Sequence, residues 1–318
     1  MNKIYCMGEL LIDFQSEGNG SLKETDRFVK KAGGAPANVC VQAKKLGCDA
    51  VYLTKVGADG FGDFLVATLE SEGVDVSHIG RSADLNTSLA FVSIRENGER
   101  DFSFYRTMTA DLYIEPADFE DVEFSKGDVL EFGSVALATD TARDTHRYLI
   151  EKAVKAGTLS CFDPNLRFNL WKDPEELRKV VKEFAQYADV IKVGKDELEF
   201  IVGDAADREK ALFGGSLKVL AVTDGSKGAD IILADGRRFE CTGYKVKAVD
   251  TTGAGDSFFG ALIAGLFKAG AKPENLLEDT IDYGKILDFA CKCGAYTTTG
   301  YGAIPSMGNR ETVDKAVR

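Results

Sequence analysis

Asp250 to Phe267 reads DTTGAGDSFFGALIAGLF, and this stretch decides the fold. Small residues come first: Thr251, Thr252, Gly253, Ala254 and Gly255. One carboxylate follows, Asp256, and then a mostly apolar run. Glycines let the backbone turn tightly and let a ligand approach the main chain. Ser257 to Phe267 is apolar on every face, so the pattern predicts a buried helix. A buried helix with a glycine-rich first turn leaves backbone N–H groups pointing out of its N-terminus, at the positive pole of its dipole. Such an end is an anion site, and phosphate is the usual anion. Asp256 sits at its mouth. An N-capping aspartate on a core helix accounts for the same residue. A carboxylate beside a bound phosphate repels it, however, unless it has a proton to take. The pattern therefore points to a general base that deprotonates a hydroxyl attacking a phosphoryl group.

The segment DTTGAGDSFFGALI resembles the second signature of the PfkB, or ribokinase-like, family of sugar kinases. Gly33-Gly34-Ala35-Pro36-Ala37-Asn38 resembles the family's first motif, and further matches run from Gly8 to about Gly308. The resemblance implies an α/β fold: a ribokinase-like three-layer sandwich with a mainly parallel central sheet and a small β lid. It implies that Asp256 is the catalytic base and that the amides of Gly253, Ala254 and Gly255 form the anion hole.

Composition narrows the function classes. The chain has 318 residues with 44% hydrophobic content, ordinary for a globular protein with a full core. Lys and Arg number 39 against 51 Asp and Glu, a net charge of −12. An acidic surface argues against non-specific nucleic-acid or anionic-membrane binding, and it requires any polyanion site to be built locally. The seven cysteines show no paired spacing, which fits a reducing cytoplasm. Cys291-Lys292-Cys293 lacks a second pair to complete a metal site. The N-terminus, interrupted by Glu9 and Asp13, reads as a first strand and not as a signal peptide. No apolar run approaches the ~20 residues that span a bilayer. The two histidines, His78 and His146, lie in no motif, which leaves catalysis to carboxylates, Lys, Arg and backbone groups.

Along the chain, Lys3 to Phe14 reads as one buried strand. Asp13 near its end stands where ligands bind in α/β sheets, and its carboxylate can accept from two sugar hydroxyls; a loop-capping Asp is the alternative. Ser16 to Lys31 is polar without a helix pattern. Pro36 to Leu46 reads as a helix with Pro in its first turn. Asn38 there offers a donor and an acceptor. Ala50 to Val56 is a strand, and the glycines of Gly57 to Asp63 do not have dinucleotide-fingerprint spacing. Thr87 to Ile94 and Arg100 to Tyr105 alternate, and Asn97-Gly98 between them signals a hairpin. From Asp128 strands and helices alternate, which implies parallel strands with crossover helices. There is no Walker motif and no protein-kinase motif set. One domain over residues 1–318 is expected, with the lid contributed by about 14–31 and 86–107.

The resemblance also distributes roles. It carries Asp13, Gly33, Gly34 and Asn38 to the sugar site. In Phe104-Tyr105-Arg106 it suggests rings to stack on a sugar and a cation for its oxygens, with packed aromatics and a solvated Arg as the alternative. Arg167, after Asp163-Pro164-Asn165-Leu166, is expected to contact substrate oxygens. Lys192, Thr223, Gly225, Gly228 and Gly302 are assigned to ATP. Relatives often carry Asn-x-x-Glu where this chain has Gly194 to Glu197. Gly194 departs from that pattern, which leaves Glu197 to reach Mg²⁺ through water or to cap a helix. Asp250 and Thr252 are assigned to K⁺.

The stretches around Gly33, Phe104 and Asp163 read most like those of bacterial fructokinases, so the expected reaction is ATP-dependent phosphorylation of fructose at its 6-hydroxyl. 2-Keto-3-deoxygluconate is the runner-up, followed by another small alcohol. A non-catalytic sugar- or nucleotide-binding regulator is the competing class, and it predicts a lost base where Asp256 is present. Apolar lid edges point to a homodimer.

Overall fold

The structure is a computed structural model and describes residues 2–94 and 100–317. The described strands are β1 (Ile4–Met7), β2 (Leu11–Asn19), β3 (Phe28–Gly33), β4 (Ala50–Gly57), β5 (Ile79–Ser82), β6 (Ser88–Ile94), β7 (Arg100–Tyr105), β8 (Val129–Gly133), β9 (Leu159–Asp163), β10 (Val190–Gly194), β11 (Val219–Thr223), β12 (Ala229–Leu233) and β13 (Arg238–Cys241). The α-helices are α1 (Ala35–Lys45), α2 (Gly60–Ser71), α3 (Asp140–Ala156), α4 (Pro174–Ala185), α5 (Lys195–Val202), α6 (Arg208–Leu212), α7 (Ala254–Lys268), α8 (Tyr283–Thr297) and α9 (Arg310–Ala316).

The main sheet runs β13-β12-β11-β10-β9-β8-β1-β4-β5. It is parallel from β5 to β11, and β12 and β13 are antiparallel. Its central strands β1, β8 and β9 are buried along their whole length, as a sheet covered on both faces requires. Ile4 and Cys6 turn into one core with α1, α7 and α8, while Tyr5 and Met7 turn into the other with α3 and α4. Strand order reverses between β8 and β1. Ligands in open α/β sheets bind at such a point, beyond the carboxyl ends of the strands.

A second sheet, β3-β2-β6-β7, forms the lid. The sequence reading of Lys3 to Phe14 as a single strand is corrected here. The segment is two strands in two sheets, parted at Gly8-Glu9-Leu10. Gly8 has φ 156°, and a Cβ there would stand 2.6 Å from Pro36, so the crossing is tight. The polar stretch Ser16 to Lys31 contains the end of β2 and most of β3. Its outer face is solvated, which hides the strand pattern. β6 and β7 pair antiparallel as the alternation predicted; the turn at Glu96 to Glu99 lies outside the described residues.

Candidate active site

The α7 helix is buried on nearly all sides from Ser257 to Leu266. Two glycines let its neighbours come close: a Cβ at Gly260 would stand 2.8 Å from Val39 O of α1, and one at Gly265 would stand 2.8 Å from Ile286 of α8. A buried polar bracket sets the register of α7 against α1. Ser257 Oγ donates to Gln42 Oε1 at 2.8 Å, and Gln42 Nε2 donates to Gly308 O at 3.0 Å. Asn38 lies one turn before Gln42 on the same face of α1. It therefore meets Asp256, the residue before Ser257, and its Nδ2 donates to Asp256 Oδ2 at 2.7 Å.

The helix starts where the sequence required. Gly253 is the N-cap in a left-handed conformation, φ 77°, and a Cβ on it would stand 2.4 Å from the Ala303 Cβ. Only glycine meets both conditions. The preceding loop is tied down by Asp250. Its Oδ1 accepts from Thr252 N at 2.9 Å and Thr252 Oγ1 at 2.6 Å, and its Oδ2 accepts from Gly302 N at 2.9 Å.

This N-terminus opens into a cavity of about 510 Å³. Gly253, Gly255 and Asp256 line one wall, with Lys192, Arg167 and Thr252. Asp13, Gly34, Asn38, Phe104 and Gly302 line it as well. Gly33 lies directly behind Asp13: a Cβ on it would stand 2.2 Å from Asp13 Oδ2. Of the three anion-hole amides, that of Ala254 bonds Thr251 O at 3.3 Å, which leaves Gly253 and Gly255 as the cavity-lining pair.

Burial pushes the Asp256 carboxyl above the ordinary carboxylate range. The Asn38 hydrogen bond and the charges of Lys192 and Arg167 pull it back. Lys192 Nζ bonds Asp163 Oδ2 at 2.9 Å in a buried pair. Burial raises Asp163 to about 6, opposed by Lys192. Attraction to Asp163 and Glu197 outweighs burial at Lys192 and raises it, so the ammonium stays charged. A Cβ at Gly255 would stand 3.3 Å from that ammonium, which places a fixed cation beside Gly255.

Several sequence-predicted residues lie elsewhere. Arg106 lies outside the cavity lining: its guanidinium is buried and bonds Asp111 Oδ2 through Nε (2.9 Å) and Nη2 (2.7 Å) and Val135 O through Nη1 (2.7 Å). A buried Arg needs a carboxylate, and Asp111 lies close by in sequence. Of Phe104 and Tyr105 only Phe104 lines the cavity; Tyr105 packs on Phe91 and is 64% exposed. Glu197 accepts from Gly194 N and Leu166 N, both at 2.7 Å, as a helix cap that also holds the loop after β9. Thr223, Gly225 and Gly228 lie at the end of β11 and in the loop after it, outside the cavity lining.

The cavity also takes Glu9, Gln15, Lys31 and Asn165, which sequence reasoning missed. The alternation Leu11, Asp13, Gln15 was the available signal: those three positions share one face of β2. Glu9 Oε1 caps α1 by accepting from Ala35 N at 3.0 Å, and its Oε2 is buried without a described partner. Burial raises the Glu9 carboxyl to about 7, against the pull of Arg106.

The loop before α7, the Gly33–Asn38 turn and the lid thus meet around one cavity. The chain matches the pfkB family of carbohydrate kinases over residues 1–310, and it belongs to that family. It is 41% identical over 310 residues to fructokinase-2 of Solanum lycopersicum, covering 96% of this chain and 92% of that one. Among solved structures it resembles the Vibrio cholerae O395 fructokinase in its fructose-, ADP- and calcium-bound form, with TM-score 0.89, 32% identity and coverage of 100% and 99%. It also resembles a Pyrococcus horikoshii sugar kinase in complex with ATP, with TM-score 0.85, 33% identity and coverage of 98% and 97%. No described helix is long and apolar enough to cross a membrane.

Proposed function

We propose that the protein is an ATP-dependent fructokinase that phosphorylates the 6-hydroxyl of fructose. The observation that carries the chemistry is Asp256, a buried carboxylate of raised proton affinity at the N-terminus of α7, held by Asn38 and flanked by the Gly253 and Gly255 amides. The likeness to fructokinases over nearly the whole chain supports the substrate.

Asp13, Gly34, Asn38 and Phe104 position the sugar with its primary hydroxyl toward Asp256. Asp256 takes the hydroxyl proton as the oxygen attacks the γ-phosphorus in line. The bond to the β-phosphate oxygen breaks, and ADP leaves with that electron pair. The Gly253 and Gly255 amides, with Lys192 beside them, stabilise the charge on the transferring group. Arg167 contacts substrate oxygens. Gly302 stands on the nucleotide side of the cavity, and Thr223, Gly225 and Gly228 border the nucleotide beyond it.

Glu197 uses one lone pair of each oxygen on a backbone amide. The remaining pairs fit contact with Mg²⁺ through water, not direct ligation. Mg²⁺ bound to the nucleotide supplies further neutralisation of phosphate charge. Asp250 shapes the loop at Thr252, where K⁺ would be held, and exchange of potassium for a large organic cation is expected to lower turnover.

Arg167 on the cavity wall favours one second reading, an acidic sugar such as 2-keto-3-deoxygluconate. ATP consumption is therefore measured with fructose, glucose, ribose, adenosine and 2-keto-3-deoxygluconate in parallel. Activity on fructose, reduced by ~10²–10⁴ in Asp256→Asn with fructose binding retained, supports the proposal. Activity only on the keto-deoxy acid, or full activity in the variant, overturns it. We further place the protein in the cytoplasm, supported by seven free thiols, and as a homodimer through the lid. A monomer at micromolar concentration by light scattering would refute the dimer.

A further inference from the structure

We infer that Lys31 is a lid-borne cation that contacts the phosphoryl group in transit between nucleotide and sugar. This rests on the kinase reading above. Lys31 belongs to one transverse row of the lid, in which Lys31 pairs with Asp13, Asp13 with Ala90 and Ala90 with Phe104. Residues level with one another in a sheet share a face. Lys31, Asp13 and Phe104 accordingly all line the cavity, and the small Ala90 leaves room between the last two. The neighbouring Lys30 turns the opposite way and sits over Phe64, 3.9 Å from the ring centroid.

Lys31 also reaches across to the anion side. A Cβ at Gly302 would stand 3.3 Å from Lys31 Nζ, so the ammonium abuts the rim of the cavity. The Gly302 amide shares Asp250 with Thr252, so this rim is fastened to the loop that carries the anion hole. The described hydrogen bond of Lys31 goes to the neutral Gln15 Oε1. Lys31 therefore faces the amide wall from the sugar side, with Asp13 beside it. A flexible ammonium with three donors can follow oxygens that move from one partner to the other. In a loose phosphoryl-transfer transition state those oxygens carry the charge. On a chain of net charge −12, such a cation has to be supplied locally.

The test compares Lys31→Met, Lys31→Arg and Lys30→Met with the wild type. Turnover of fructose by the wild type is read first, so that a wrong substrate is seen separately; the variants are then read on whichever sugar is phosphorylated. Lys31→Met is expected to lose about 10²-fold in kcat. Its KM for the sugar should stay within about threefold of the wild-type value, the mark of a contact made only in the transition state. Lys31→Arg should recover at least about tenfold of the loss, since it keeps the charge. Lys30→Met should match the wild type. Calorimetry gives a readout apart from turnover: Lys31→Met should bind the phosphorylated sugar about tenfold more weakly and the free sugar equally well. Wild-type kcat in Lys31→Met overturns the inference. So does an equal loss of affinity for free and phosphorylated sugar, which would make Lys31 a sugar or lid-packing residue.

Discussion

Asn38 Nδ2 donates to Asp256 Oδ2 at 2.7 Å, joining two residues 218 positions apart in the chain. The first motif therefore holds the carboxylate proposed as the base in the second. Asn38 also lowers the proton affinity of a carboxyl that burial has raised. Asn38→Ala should move the acid limb of the kcat/KM–pH profile upward by about one unit, because the ionised form loses a donor worth about 1 kcal/mol. A pH–rate profile checks this. A variant with raised KM and an unmoved acid limb would make Asn38 a sugar contact alone.

Lys192 and Asp163 form a buried ion pair beside that base. Removing one partner strands the other. Lys192→Met should lower unfolding free energy by about 3 kcal/mol at pH 8. Lys192 is what opposes the rise of Asp163, so without it the carboxyl takes up a proton more readily still, and the loss should shrink as pH falls. Lys192→Met combined with Asp163→Asn should regain much of the stability but not the turnover. Denaturant unfolding as a function of pH measures this.

Glu9 gives a pH effect of the opposite kind. Its folded-state pKa of about 7 lies above the ordinary carboxyl value, so the folded protein holds a proton that the unfolded chain gives up. The stability associated with that proton is fully present below the unfolded pKa, about 4.3, and is lost as pH rises to about 7. Glu9→Gln keeps an oxygen for Ala35 N and abolishes the titration. Its stability relative to the wild type should grow by about 1–3 kcal/mol from pH 5 to pH 8. Parallel melting curves with no change in the difference would count against a neutral Glu9.

Gly253→Ala meets a positive φ and the Ala303 Cβ at once. The left-handed conformation alone costs about 1–2 kcal/mol for a non-glycine residue, and the clash adds to it. The anion-hole loop should shift, with turnover falling more than sugar binding. Unfolding curves with sugar-binding calorimetry separate the two effects.

The main sheet and the catalytic helix were legible because their signals are local. Alternating strands and helices from Asp128 announce a parallel sheet, and a run apolar on all sides after Gly253-Ala254-Gly255 announces a buried helix. The lid was only half legible. β6 and β7 alternate clearly, whereas β2 passes from buried to solvated along its length, and β3 shows its cavity face only every second residue. The pairing of Arg106 was not legible because its partner, Asp111, lies outside the motif, and a charged side chain reads the same whether it faces a ligand or a buried carboxylate. Glu9 and Lys31 carried no motif. Their places depend on the chain leaving one sheet for the other at Gly8, a crossing that a continuous apolar pattern conceals.

That crossing sets the mechanics of the lid. Glu9 O accepts from Tyr52 Oη at 2.6 Å on the main sheet, a Cβ at Gly34 would stand 2.2 Å from the same oxygen, and the Glu9 carboxylate caps α1. Both chain segments that lead from the core into β2 and β3 are thus pinned at one residue. The β2–β3 side of the lid is hinged there, beside the turn that holds Asn38. This side of the lid and the mount of the proposed base share one bearing, so a loosened lid would also misaim Asp256.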